Sequence, residues 1–418
     1  ENNSAFKMMS FQAKQKMDYD FKVKYAEVRA KEFYYHPEIA GQCYVAVGGL
    51  DSITLLLFLR HIGIDVPAVS VSVLEDKSIQ KVHKQLGVES LKPLKSKVEV
   101  IREFGWPVLS KEIAGKISLL QHPSEKNATV RHAIITGETG AYGGYRKGTR
   151  MKLSKKWLEK FGGYENETEG TAYQKPDFLV SDKCCYYLKE KPCSDYAKNS
   201  GRFPYMGLMA SEGGRRQKAL MLNGCNYISP GTKRSCPFAI FSRQDLLQLA
   251  LDLKAPVPEI YGEIVRDSDG ALRTTKAQRT GCSMCGFGIH LEKRPHRFGL
   301  LWQSHPKEWE MWRSHVDRLP DGAWYGWGHV LDYIGVSWRN PEFYVREYEQ
   351  TTLGGDTDGP NRQTRRGEAQ AHAAADQDYL GNHPCERVRL PEALRPRQLA
   401  PGSTPTPPGR RLPPPART

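Results

Sequence analysis

An α/β fold built on a doubly wound parallel sheet is what the pattern of this chain predicts, on three observations. A compact β-rich run, CYVAV from Cys43 to Val47, is followed by the turn GGLDS and then by ITLLLFLRHIG, whose length and closing Gly63 mark a buried helix. The unit then repeats, with VPAVSVSV (Val66 to Val73) as a second strand and Ser78 to Leu86, closed by Gly87, as a second helix. Strands that alternate with helices are joined by crossovers, and crossovers make parallel sheets with helices on both faces.

The remaining elements follow in chain order. Residues 10 to 35 mix Met17, Phe21, Val23, Tyr25, Val28 and Phe33 with many lysines, the pattern of one amphipathic helix leading into the first strand. Lys97 to Ile101 is apolar enough for a third strand or a helix edge. Between about 120 and 175 the periodicity fades into Gly, Lys and Tyr (GETGAYGGYRKGTRMKLSKKW), which predicts an irregular insertion of the kind that carries substrate contacts. Short strands return at FLV and YMGLMA, with a helix from Arg243 to Lys254, and residues 280 to 338 hold a cysteine turn, a basic stretch and a Trp-rich helical end. The last 68 residues contain 11 of the 27 prolines, 10 arginines and no lysine, so this stretch cannot bury a core. It reads as a disordered tail, and the abrupt change from Lys to Arg suggests a non-native end.

Composition bounds the function. With 418 residues, 39% hydrophobic and 26% charged, the chain is neither disordered throughout nor collagen-like, and it is long enough for about two or three domains. No run of about 18 apolar residues occurs, and Glu1, Asn2, Asn3 and Ser4 carry no basic-then-apolar leader pattern. The expectation is a soluble cytoplasmic protein, without membrane contact, whose true start precedes Glu1. Nine cysteines is an odd number at low density, which points to thiols used as ligands or reactive groups instead of a disulfide framework. A net charge of +14 fits polyphosphate or nucleic-acid partners, and fits a solubility device equally well.

Three motifs carry chemistry. In Val47-Gly48-Gly49-Leu50-Asp51-Ser52 two glycines let backbone approach a phosphate, the following helix presents free N–H groups, and Ser52 adds a hydroxyl. A helix dipole alone is worth about 0.3–1 kcal/mol to an anion there. The same residues also suit an ordinary strand-to-helix turn capped by Asp51 or Ser52. Cys184-Cys185 and Cys282-Ser283-Met284-Cys285 supply four thiolates, the number that a cubane iron–sulfur cluster or a tetrahedral zinc takes. The third stretch, Gly207 to Arg216, places Glu212, Arg215 and Arg216 after a strand; it suits either an anion contact or a solvated turn.

These motifs carry a family likeness. VGGLDS resembles the SGGxDS phosphate loop of the adenine nucleotide alpha-hydrolase (PP-loop) fold, shared by N-type ATP pyrophosphatases and the phosphoadenylyl-sulfate (PAPS) reductase family. The family's first Ser is Val47 here, so one hydroxyl contact is lost. The cysteine pairs resemble the CC...CxxC signature of adenylyl-sulfate (APS) reductases, and the Gly207–Arg216 stretch falls between them in family order.

The resemblance runs from about Tyr44 to Phe298. It implies a Rossmann-like sheet, nucleotide contacts from Gly48, Gly49, Leu50, Asp51, Ser52, Glu212 and Arg215, and a [4Fe-4S] cluster on Cys184, Cys185, Cys282 and Cys285, with zinc as the alternative. ATP or APS/PAPS is the implied substrate nucleotide, with magnesium a candidate companion. No catalytic residue is fixed; Arg215, Arg216 and His290 are the candidates. Arg279, Lys293, Arg294 and Arg297 are further basic candidates beside the cysteines, as are Lys111 and Arg131 elsewhere, and His296 is a possible proton donor.

Sulfonucleotide reduction would need a thiol carrier or electron donor and a mobile cysteine; the family's ECGxH-like ending is not found, and Cys385 in HPCER is a poor substitute. ATP-dependent thiolation of a nucleic-acid or small-molecule acceptor is the alternative, and a non-catalytic nucleotide or redox sensor is a third reading that Val47 supports. The implied domains are a helical lead-in over 1–40, a nucleotide-binding domain over 41–300, a Trp-rich helical subdomain over 301–345 whose tryptophans pack or stack on bases, and the tail over 346–418.

Overall fold

The computed structural model describes residues 2–138, 151–165, 173–282, 284–292 and 296–338. The chain enters the fold through two helices where the sequence suggests one. α1 (Asn2–Gln15) and α2 (Tyr19–Tyr34) part at Asp18, whose carboxylate accepts the Phe21 amide at 2.8 Å and caps α2. That cap interrupts the periodicity read across 10–35. α2 lays Ala26, Ala30 and Phe33 into the core of the sheet.

β1 (Cys43–Ala46) leads into α3 (Leu50–His61), which buries Leu50, Ile53, Leu55, Leu56, Phe58 and Leu59. A helix apolar on so many sides must be covered on all of them, so it lies between the sheet and neighbouring helices. β2 (Ala68–Ser70) is shorter than VPAVSVSV, because the backbone leaves the sheet at Val71 and coils into a 3-10 turn over Ser72–Leu74. α4 (Lys77–Gln85) and β3 (Glu89–Ser90) follow. Lys97 to Ile101 is helical, not a strand: Ser96 and Glu99 form a capping box that starts α5 (Lys97–Phe104).

The chain then leaves the sheet to build a second core. β4 (Val108–Leu109) and α6 (Lys111–Gln121) lead up to the stretch read as an irregular insertion, and α7 (Ala128–Thr136) and α8 (Lys155–Phe161) lie within it, while residues 139–150 and 166–172 lie outside the described residues. FLV makes no strand, only a single parallel bridge between Val180 and Trp106. After α9 (Lys191–Ser200) come β5 (Phe203–Met206), α10 (Gly214–Asn223), the hairpin β6 (Asn226–Ser229) and β7 (Thr232–Ser235), and α11 (Arg243–Asp252). A second hairpin, β8 (Ile264–Arg266) and β9 (Leu272–Thr274), precedes β10 (Gly286–Phe287), α12 (Arg297–Ser304), α13 (Pro306–Ser314) and α14 (Trp327–Ile334).

The central sheet has the order β3-β2-β1-β5-β7-β6, parallel except for β6, which runs antiparallel to β7. The doubly wound α/β architecture is therefore present, with one reversed edge strand. Its order turns at β1, which pairs with β2 on one side and β5 on the other. Glu1–Arg346 forms one compact unit, and Trp309, Trp312 and Trp327 pack in the same cluster as Trp106 and Trp157. The tail over 347–418, with Cys385, lies outside the described residues. Among the described residues no helix is long and apolar enough to cross a membrane.

Trp327 anchors the second core: its ring centroid lies 4.8 Å from that of Trp106 and 5.0 Å from that of Phe298, and it fills the space over Gly286. Trp327→Ala is expected to cost about 3–5 kcal/mol in denaturant unfolding. Trp327→Phe should cost less, because the buried indole N–H finds no acceptor among the described residues. An alanine variant within about 1 kcal/mol of wild type would show that this core is not part of the cooperative unit.

Candidate functional site

In a doubly wound sheet the strand order reverses at one point, and the two loops that leave the carboxyl ends there diverge to opposite faces and open a crevice. Here that point lies between β1 and β5, which pair in full register from Cys43 with Phe203 to Ala46 with Met206. A cleft of about 400 Å³ opens at their ends. Val47 to Ser52 form one wall and Met206 to Leu208, with Glu212 and Arg216, another; Val69 to Val71, Glu75, Lys189, Cys193, Tyr261 and Gln278 to Thr280 complete it.

The glycine loop is held by Ser52 and Tyr261. The Gly48 amide donates to Ser52 Oγ at 2.7 Å, and that hydroxyl donates to the Gly49 carbonyl at 3.0 Å, so Ser52 closes the turn on itself. The Leu50 amide donates to the Tyr261 hydroxyl at 3.1 Å, and Tyr261 shares a 2.6 Å hydrogen bond with Thr280. No side chain caps α3. Gly49 must be glycine: a methyl there would overlap the Tyr261 hydroxyl and sit 3.0 Å from Thr280 Oγ1. Gly207 is also closely packed, since its methyl would lie 3.1 Å from the backbone of Asp51 and Ser52.

Charge in the cleft is arranged in pairs. Asp51 bonds Arg243, Glu75 bonds Lys189, and Glu212 bonds Arg216. Burial pushes the Asp51 carboxyl above its usual range, against the pull of Arg243. Arg279, exposed at the mouth, makes no ion pair among the described residues and is the cation most available to an incoming anion. Val47 is buried within the apolar core.

The cysteines come together beside this cleft. Cys184 and Cys185 each lie within electrostatic reach of both Cys282 and Cys285. The Cys285 amide donates to the Cys282 carbonyl at 3.1 Å, a turn closed by Met284 in the left-handed region at φ 54°. Such strain in a non-glycine residue is retained where surrounding structure enforces it, as at binding sites. β10 begins at once after Cys285 and pairs with β4, which fixes the turn to the second core. Cys184 and Cys185 immediately precede a π-helical turn over Tyr186–Glu190, a distortion frequent at functional sites.

Cys184 packs among Val100, Leu188, Phe104, Tyr187 and Phe287, and burial pushes its thiol up to about 12. Burial also raises Cys185, opposed by Lys111. Among the described residues no three His, Cys, Asp or Glu side chains close around a single ion.

Lys189 joins the two features. It lines the cleft, bonds Glu75 and reaches the Cys282 thiol; burial alone would lower its pKa, but Cys282 and Glu75 hold it above the usual lysine value.

The chain is similar to a phosphoadenylyl-sulfate reductase. The structure in question is that of the PAPS reductase from Candida auris in complex with phosphate, with 10% sequence identity, a TM-score of 0.29, and coverage of 59% of this chain and 89% of that one. At that identity and score the likeness carries no residue roles across. No family model and no curated protein matches the chain.

Of the residues singled out from sequence, Gly48, Gly49, Leu50, Asp51, Ser52, Glu212 and Arg216 line the cleft. The Arg215 side chain, Lys293 and Arg294 lie outside what is described. His290 is not at the cleft; it packs edge-on against Trp157, with ring centroids 5.6 Å apart, in the second core. Its aromatic neighbour Trp157 explains the placement. His296 is buried and bonds the Ser337 carbonyl. Arg297 bonds Glu292 and the Cys285 carbonyl, so it buttresses the cysteine turn. Lys111 sits beside Cys185 and bonds Glu190, and Arg131 on α7 does not line the cleft. Sequence reading missed Glu75, Lys189, Cys193 and Tyr261, which reach the cleft from far along the chain and share no motif.

Gly49→Ala tests the loop directly. Displacing Tyr261 removes the hydrogen bond to Leu50 and reshapes the helix entrance, so affinity for ATP or inorganic pyrophosphate is expected to fall by about tenfold or more in calorimetric titration. Unchanged affinity would separate this loop from anion binding.

Proposed function

We propose that this chain is an adenine-nucleotide-binding enzyme of the PAPS reductase type, whose nucleotide lies in the cleft between β1 and β5 with its anionic end directed at the cysteine group. The observation that carries this reading is Lys189, a cationic side chain that lines the cleft, is anchored on Glu75 and reaches Cys282. A cation between a phosphate loop and a thiol group suits a substrate that joins the two chemistries, a nucleotide bearing sulfate or a sulfur acceptor.

Cys184, Cys185, Cys282 and Cys285 would hold a [4Fe-4S] cluster. Four thiols within electrostatic reach across the two pairs, with Lys97, Lys111 and Lys189 around them to balance thiolate charge, support that reading. A single zinc needs all four sulfurs about 2.3 Å from one centre. A cluster gives each thiolate its own iron. When bound it would supply a polarisable, charged neighbour for the reacting group. The protein residues bind and orient: Arg279 meets the anion at the mouth, and Lys189 holds its inner end.

Anaerobic purification should yield a brown protein with about four irons and matching sulfide per chain, lost in Cys184→Ser and Cys282→Ser. Stoichiometric zinc in place of iron would overturn the cluster.

The activity is read by supplying APS or PAPS with a reducing thiol and, separately, ATP with a nucleic-acid acceptor and a sulfide donor. Sulfite release identifies sulfonucleotide reduction. Pyrophosphate release from ATP identifies thiolation of an acceptor, the second reading, which the net charge of +14 favours through nucleic-acid acceptors. Binding without turnover of either substrate would leave a nucleotide or redox sensor.

A further inference from the structure

Beneath the glycine loop lies a buried polar relay that no motif announces. His83, on α4, is 1% exposed. Its Nε2 is 2.8 Å from the Gly48 carbonyl oxygen and its Nδ1 is 2.9 Å from Ser72 Oγ, at the start of the 3-10 turn where the chain leaves β2. A carbonyl can only accept, so Nε2 carries the proton. In a neutral imidazole Nδ1 then accepts, and the Ser72 hydroxyl donates to it. Burial keeps the imidazole below its usual pKa, which favours this neutral form.

The consequence falls on the peptide between Gly48 and Gly49. In a trans peptide the carbonyl and the N–H point in opposite directions. Holding the Gly48 oxygen down on His83 therefore turns the Gly49 N–H away from α4, and that amide has no acceptor among the described residues. Two successive glycines could readily flip this peptide, since neither has a Cβ to oppose the change. A flipped peptide would aim a carbonyl oxygen where the amide had been and repel an anion.

We propose that His83 is a positioning residue of the phosphate loop, locking the Gly48–Gly49 peptide so that the Gly49 amide faces an incoming phosphate, with Ser72 setting the imidazole tautomer. The phosphate as occupant rests on the nucleotide reading above; the locked peptide does not.

The test compares His83→Leu, which fills the space without a donor, with His83→Gln, whose amide can donate to Gly48 in place of Nε2. ATP and inorganic pyrophosphate are the probes, titrated calorimetrically, and each variant's crystal structure is determined without ligand. His83→Leu should lose affinity by about tenfold or more and show the 48–49 peptide flipped or in two orientations, while His83→Gln stays within about threefold of wild type. Equal affinity in His83→Leu and wild type, or an unflipped peptide in His83→Leu, overturns the proposal. Should His83→Leu fail to fold, nitrogen NMR of the wild-type ring decides: a proton on Nε2 is expected, and one on Nδ1 overturns it. A wild type that binds neither probe refutes the nucleotide reading, and the peptide orientation and the tautomer still judge the lock.

Discussion

β1 and β5 are separated by more than 150 residues, yet they pair along their whole length, and the site depends on that pairing. Four residues of parallel ladder fix the two following loops side by side, and Gly207, without a side chain, lets the second come within contact of Asp51 and Ser52. Everything between the strands must then be looped out without disturbing the register. The chain solves this by giving the intervening stretch a core of its own around Trp106, Trp157 and Phe161, closed by the C-terminal tryptophans. The cysteine pairs lie where these two bodies of packing meet. One pair follows the stretch that leaves the sheet, and the other precedes β10, which joins the second core through β4. Thiols distant in sequence are thereby brought beside the cleft by the same detour that the β1–β5 pairing makes necessary.

The parts legible in sequence were those written in local periodicity. β1, the glycine turn and α3 stand as read, because a buried strand, two glycines and an apolar helix are each specified by adjacent residues. α4 and α11 were also found to within a residue or two. Where reading failed, a capping residue or tertiary packing overruled the pattern: Asp18 divided the first helix, and Ser96 with Glu99 turned an ambiguous apolar run into α5. The site was legible only through its motifs. Tyr261, Glu75 and Lys189 act at the cleft through contacts spanning up to 211 residues, and no spacing rule joins them to the loop they serve.

The cleft's electrostatics follow from the same economy of contacts. Three cations near the loop are each tied to an acid, Lys189 to Glu75, Arg216 to Glu212 and Arg243 to Asp51. Long side chains restrained in this way lose less freedom when a ligand arrives, so they are pre-organised for an anion in a way that free surface lysines are not. The acids also limit the field, which makes the unpaired Arg279 at the mouth the main electrostatic attractor on approach. Attraction and positioning are therefore assigned to different residues.

Val47 gives this division its sharpest consequence. In the loop it resembles, a serine at this place adds a hydroxyl donor; here the side chain is buried in the apolar core and donates nothing. Ser52 does not make up the loss, since its hydroxyl hydrogen is directed at the Gly49 carbonyl. The Leu50 amide is also engaged, by Tyr261. What remains at the entrance of α3 is backbone, chiefly the Gly49 amide, and a backbone donor is only as good as the orientation of its peptide. A loop that has exchanged a hydroxyl for a valine thus depends more heavily on whatever fixes that peptide, and His83 is the only side chain among the described residues bonded to the Gly48 carbonyl.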